Sequence, residues 1–161
     1  MSAVPARGKG PKTRDYFAEL FVAGIMGDAQ WQIYFPKRDV GFDFIAAKLV
    51  QDRMRIRPVQ VRGLYPTAEK KDRSPYRWSG RLTQVHPALV VAFCYFSSDH
   101  MTVAPTCVAY VPLAQLKRPS RGGYRFDGSK LQSGVVTPRR DFAHLFGWSG
   151  LRALEQVGES A

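Results

Sequence analysis

Four residues in the first half of the chain have side chains suited to phosphate chemistry. Asp43 stands in the apolar stretch Phe42-Asp43-Phe44-Ile45, where a carboxylate is costly to bury unless it is paired or binds a cation. Glu19 is the only charged residue between Tyr16 and Gly27. In Pro58-Val59-Gln60-Val61-Arg62, strand alternation puts Gln60 and Arg62 on one face and Val59 and Val61 on the other. That face offers an oxygen acceptor and a permanent cation two residues apart. Taken singly, each residue has an ordinary structural use: an acid facing water, or a helix glutamate in an ion pair. Taken together, two carboxyls, an amide oxygen and a guanidinium make a recognisable set.

The elements that must position them can be read from the pattern. Residues 1–12 mix Gly, Pro and basic residues and are expected to form a flexible basic arm, with residues 13–161 as a single domain. Thr13 suits a helix start. The following helix carries Phe17, Leu20, Phe21, Val22, Ile25 and Met26 on every side, which predicts burial all round. Trp31 to Phe35 reads as a strand ended by Pro36, and Lys37 to Asp39 as a turn. Val40 to Leu49 is predicted as a second strand with Asp43 well inside it. Gln51 to Arg55 is a polar connection, and Ile56 to Gly63 a third strand. Residues 64–81 read as a long loop. Ala88 to Phe96 is the continuous apolar run of a strand covered on both faces. Thr106 to Val111 is a further strand, Pro112 to Leu116 a short helix, and Tyr124 and Phe126 mark an edge strand. Arg139 to Val157 reads as a C-terminal helix interrupted between Gly147 and Gly150. The order α-β-β-β-loop-β-β-α predicts an α/β fold, with a mixed central sheet flanked by helices.

Charge narrows the class of partner. The 161 residues carry 24 Lys and Arg against 13 Asp and Glu, a formal charge of +11, so a polyanion is the natural partner. Arg53, Arg55, Arg57, Lys70, Lys71, Arg73 and Arg77 form one basic cluster and the candidate nucleic-acid contacts. A second cluster, residues 117–140, holds seven basic residues with Asp127 as its lone acid. Tyr65, Tyr76, Trp78 and Tyr124 are interleaved, which suits phosphate contact beside base or sugar stacking. No apolar stretch is long enough to span a bilayer, and the first residues lack the apolar segment of a secretory signal. With Cys94 and Cys107 as its two cysteines and no paired motif, a cytoplasmic protein with free thiols is expected. His86, His100 and His144 have no metal-ligand spacing.

The motifs Ala18-Glu19-Leu20, Val40-Gly41-Phe42-Asp43-Phe44-Ile45 and Val59-Gln60-Val61-Arg62-Gly63, in that order, resemble the PD-(D/E)XK nuclease superfamily, in particular its Holliday-junction-resolvase-like and Mrr-like branches. The resemblance covers roughly residues 13–66 by motif. It implies a restriction-endonuclease-like core and metal-dependent hydrolysis of DNA phosphodiesters. It also implies Mg²⁺ or Mn²⁺ held by Asp43, Gln60, the Val61 carbonyl and Glu19, with Arg62 at the scissile phosphate and a homodimer as a common arrangement. Two positions depart from the family pattern: Gln60 replaces an acid and Arg62 replaces the lysine. Arginine does not give up its proton, so Lys37, Lys70 or Lys71 would have to reach in from loops; Lys48 has the wrong strand parity. These departures motivate a second reading, a catalytically degenerate nucleic-acid-binding module on the same fold. A domain whose basic face meets an acidic protein is a third.

Overall fold

The computed structural model describes residues 13–66, 71–97 and 104–156, with side chains from Tyr16 onward. The expected arm, residues 1–12, and Lys70 lie outside the described residues. Helix α1 (Thr13–Asp28) is followed by strands β1 (Gln32–Tyr34), β2 (Phe44–Val50) and β3 (Arg53–Leu64). Then come β4 (Trp78–Gly80), β5 (Val90–Tyr95) and β6 (Cys107–Pro112), a short 3-10 turn (Leu113–Gln115), β7 (Tyr124–Phe126), β8 (Ser129–Gln132) and β9 (Val135–Pro138). A second 3-10 segment (Arg140–Leu145) leads into helix α2 (Gly147–Gln156).

Five strands form one mixed sheet in the order β1-β2-β3-β5-β6, in which β3 and β5 are parallel and the other neighbours antiparallel. This is the expected α/β architecture. Strand β5 is buried along its whole length, and its alternation divides the core in two. Val90, Ala92 and Cys94 face α1 and α2 with Val22, Met26, Leu151 and Leu154. Val91, Phe93 and Tyr95 face Trp78, Phe126, Leu131 and Leu145. A strand covered on both sides has no polar face to show, hence the unbroken apolar run. The Phe93 and Phe126 rings stack at 5.0 Å, which joins the small β4–β7 sheet to the main one.

Several boundaries differ from the sequence reading, each for a physical reason. The β2–β3 connection is only Gln51 and Asp52, both with positive φ (49° and 59°). That conformation closes a two-residue hairpin whose twist matches the strands, so β3 starts at Arg53. The 64–81 loop contains β4, paired with β7; three residues are too few for periodicity to register. The β8–β9 hairpin was likewise not anticipated. Helix α2 starts at Gly147 (φ 57°), and the preceding residues are a separate 3-10 segment rather than the start of one long helix. Helix α1 is not buried all round. Ala18, Val22 and Met26 are inside, but Tyr16 (62% exposed) and Leu20 (45%) are not, because α1 packs on one sheet only. On the sheet's other side, the cross-strand pair Leu49 and Met54 and neighbouring Tyr34 and Ile56 remain exposed. Both cysteines are free, and burial pushes the Cys94 thiol up to about 12. No described helix is long and apolar enough to cross a membrane.

Candidate active site

The site forms where the chain enters β2. Asp43 lies in a bend just before the first residue of the strand, not well inside it as expected. Its backbone N–H donates to the Val59 carbonyl at 2.8 Å. Its carboxylate then takes the place of the next ladder acceptor: Oδ2 accepts the Val61 N–H at 2.6 Å. The approach to this bend is shaped by Asp39, whose Oδ1 accepts the Gly41 N–H at 3.0 Å, and by Gly41 itself. Gly41 has φ +86°, and a Cβ there would lie 2.3 Å from Gln84 Cγ, so the loop needs glycine on both counts.

An open basin of about 570 Å³ lies over this junction, and Glu19, Asp43, Gln60, Val61 and Arg62 all line it. All the sequence-predicted catalytic and metal residues therefore converge. Tyr16 and Glu19 enter from α1, Lys37, Arg38 and Asp39 from the β1–β2 loop, and Thr83 from the segment after β4. Among the described residues, Lys37 is thus the loop lysine that lines the basin. Lys48 is turned to the opposite end of the sheet, where it donates to the Ala29 carbonyl at 2.9 Å and pairs with Glu155.

The electrostatics are those of a carboxyl pair. Burial raises Asp43 above its ordinary value, opposed by the Val61 N–H, the charge of Arg62 and a side-chain hydrogen bond with Glu19. Beside them, Gln60 is buried (6% exposed), and its Oε1 has no hydrogen-bond partner; the Nε of Arg62 is also unpartnered. A buried amide oxygen without a donor is destabilising by about 1–3 kcal/mol. A hard cation is the natural complement to two carboxyls and an orphan oxygen, so the residues fit a divalent ion. The Val61 carbonyl leaves β3 on the same side as the N–H bound to Asp43. Among the described residues no group of three or more His, Cys, Asp or Glu gathers to hold a metal; the neutral oxygens would have to complete the set.

The predicted nucleic-acid contacts do not stay together. Arg57 is buried (9% exposed), and its Nε and Nη2 donate to the Leu154 carbonyl at 3.3 and 3.0 Å. Arg55 Nε donates to the Glu155 carbonyl at 3.1 Å. Both carbonyls are among the last four of α2, which lack partners within the helix, and cations suit that negative end. Arg57 is therefore a helix-capping residue rather than an outward phosphate ligand, and the Arg55 guanidinium is engaged at the same helix end. Arg53 is exposed beside the hairpin turn, seven residues from Gln60 along β3, roughly 23 Å away. Lys71 is exposed. Arg73 and Arg77 line a separate open cleft of about 300 Å³ with Ser74, Pro75 and Ser79.

Sequence reasoning missed Asp39 and Gly41, whose role depends on how closely the loop passes Gln84. It also missed the part played by Asp127, although its isolation among seven basic residues was a visible signal. Compared with known proteins, the chain matches no protein-family model and no curated protein.

Proposed function

We propose that this chain is a metal-dependent nuclease domain that hydrolyses DNA phosphodiester bonds, of the kind its three motifs resemble. The observation that carries the reading is that Gln60, Arg62 and the Asp43–Glu19 carboxyl pair all line one open basin, with Gln60 Oε1 and Arg62 Nε buried and unpartnered behind its surface. Unsatisfied groups of both polarities in one place suit a ligand that brings a cation and an anion together, as a phosphate with its counter-ion does. Asp43, Glu19, Gln60 and the Val61 carbonyl would hold Mg²⁺ or Mn²⁺. When bound, the ion supplies polarisation of the phosphate and a lowered pKa for water.

The chain's own residues supply the rest. The Val61 N–H fixes the orientation of the Asp43 carboxylate. Arg62 presents a permanent cation with an unused N–H, suited to holding a phosphate oxygen and stabilising charge that develops on it. Arg62 cannot act as a proton carrier. Among the described residues, Lys37 is the lysine on the basin rim and would take that task. Tyr16 on the α1 side is 62% exposed and offers an aromatic surface at the basin edge for a sugar or base.

The test is cleavage of linear, branched and single-stranded DNA with Mg²⁺ or Mn²⁺, comparing the protein with Asp43→Ala. Metal-dependent cleavage lost in the variant is expected. No cleavage of any form with either ion would sink the enzymatic reading. Gln60 and Arg62, standing where an acid and a lysine are usual, favour one second reading, a binding-only module on this fold. Salt-sensitive DNA binding without metal that survives Asp43→Ala would identify it. Cytoplasmic location and assembly as a homodimer belong to this proposal and rest on the same resemblance.

A further inference from the structure

Asp127 is 5% exposed, yet its carboxylate receives Arg77 Nε at 2.7 Å and Lys117 Nζ at 3.4 Å, with Arg125 Nε 3.1 Å away. Arg139 adds a hydrogen bond to its backbone carbonyl at 2.9 Å. One negative charge is thus surrounded by three positive ones. Burial alone pushes Asp127 up, but Arg77, Lys117 and Arg125 outweigh it and hold the carboxyl below its ordinary value, so it stays ionised. The anion is sealed while the cations are not: the Arg77 and Lys117 side chains are 49% and 57% exposed.

The strand register aligns these groups. Trp78 pairs with Phe126, and both enter the core, so the next pair, Ser79 and Arg125, points outward. Lys117 lies on the other side of Arg125, joined by two backbone hydrogen bonds of 2.9 Å. Ser79, Arg125 and Lys117 therefore form a row across three strands, roughly 10 Å wide at ordinary strand spacing. Arg77 spends its Nε on Asp127, and no other acceptor approaches it among the described residues, so its terminal amino groups are available.

We propose that this outer face of the β4–β7 sheet, with Arg77, Ser79, Lys117 and Arg125 anchored on Asp127, is a second binding site that takes the phosphates of a nucleic-acid backbone. Anchoring on a buried carboxylate holds long cationic side chains in place before the ligand arrives, which reduces the ordering cost of binding. The excess of two positive charges is a standing repulsion that an anionic backbone relieves. Arginine, lysine and a hydroxyl in a row are the groups that contact phosphate oxygens. The face is also tied to the basin by a short stretch of chain. Three residues, at most about 14 Å of chain, separate Ser79 from Thr83 on the basin wall, and Arg62 Nη2 donates to the Arg81 carbonyl at 3.4 Å. One strand of substrate can lie on both. The proposal shares its partner with the proposed function and does not depend on the metal chemistry.

The experiment measures binding of the whole chain to a labelled 20-base-pair DNA by fluorescence anisotropy, in EDTA, over a salt series. The double variant Arg77→Ala/Lys117→Ala is expected to bind about tenfold or more weakly, with its salt slope reduced by about 1.8, as for two lost phosphate contacts. Lys117→Ala alone, which leaves Asp127 paired with both arginines, is expected to lose about half of that slope and guards against a folding defect. Arg152→Ala, on the exposed side of α2, controls for net charge. Wild-type affinity in the double variant, or a loss no greater than in Arg152→Ala, overturns the proposal. So does binding of an acidic polyglutamate peptide in place of DNA. If the double variant loses binding as expected but the wild type cuts nothing, the nuclease reading falls and this site stands. If it cuts DNA while the double variant binds unchanged, this site falls and the nuclease reading stands.

Discussion

The Asp43 carboxylate closes the β2–β3 ladder in place of a backbone carbonyl, accepting the Val61 N–H at 2.6 Å. The same carboxyl touches Glu19, so one side chain ties together α1, the start of β2 and the middle of β3. Structure and chemistry therefore compete at this position, and variants there separate them.

Burial raises Asp43 above the ordinary carboxyl value of 3.8, so the folded protein holds this proton more tightly than the unfolded chain. The resulting stability is fully present below about pH 3.8 and is lost as pH rises through the raised folded value. Asp43→Asn removes that loss. Without metal it should melt a few degrees above the wild type at pH 7, with the difference vanishing toward pH 3. With 10 mM Mg²⁺ the wild type should gain stability and the variant should not. Thermal melts over pH 3–8 with and without Mg²⁺ check both statements. A variant that melts lower at pH 7 and still responds to Mg²⁺ contradicts them.

Gln60 offers a sharper probe of the proposed ion. Gln60→Leu removes a buried amide oxygen that has no partner and should stabilise the metal-free protein by about 1–2 kcal/mol. Gln60→Glu should weaken the metal-free fold, since a third carboxyl joins Asp43 and Glu19, and tighten Mg²⁺ or Mn²⁺ binding by about tenfold. Titration calorimetry with each ion reads this directly. Equal affinity in wild type and Gln60→Glu would argue that no ion sits at this amide.

Arg57 was expected at a phosphate and is found at a helix end. Arg57→Ala should destabilise the protein by about 2–3 kcal/mol, since it leaves the Leu154 carbonyl buried without its donor. That corresponds to a fall of roughly 4–12 °C in melting temperature. Arg57→Lys should recover only part of it, because an ammonium cannot reproduce the two-point contact. DNA affinity, measured well below the melting transition, should hardly change in either variant. A stable Arg57→Ala protein with weakened DNA binding would restore the phosphate role.

The basin loop depends on Gly41. Gly41→Ala places a methyl group against Gln84 and forces φ +86° on a residue with a side chain. It should cost about 1–2 kcal/mol. Because the loop leads directly to Asp43, it should also blunt the Mg²⁺-induced stabilisation. Unchanged melting curves with and without the ion would show that the loop does not hold the site in place.

Composition and period determined much of this protein by themselves. The unbroken apolar run at residues 88–96 has the pattern of a strand covered on both faces. The alternation in Val59-Gln60-Val61-Arg62 placed Gln60 and Arg62 together, because side-chain direction along a strand is a local property. The charge excess, which depends only on composition, was equally plain. Tertiary structure alone decided what each cation meets. Arg55 and Arg57 lie in the same basic run as Arg73 and Arg77, yet the C-terminal end of α2, about a hundred residues along the chain, claims the first two. The short strands β4, β7, β8 and β9 place Trp78, Phe126, Leu131 and Val136 in one buried cluster with Phe93 and Tyr95, a packing their own few residues do not announce. Asp127 took its three cations from separate segments. Whether a polar group faces solvent, a helix end or a neighbouring charge is set by what packs against it, and periodicity carries no record of that partner.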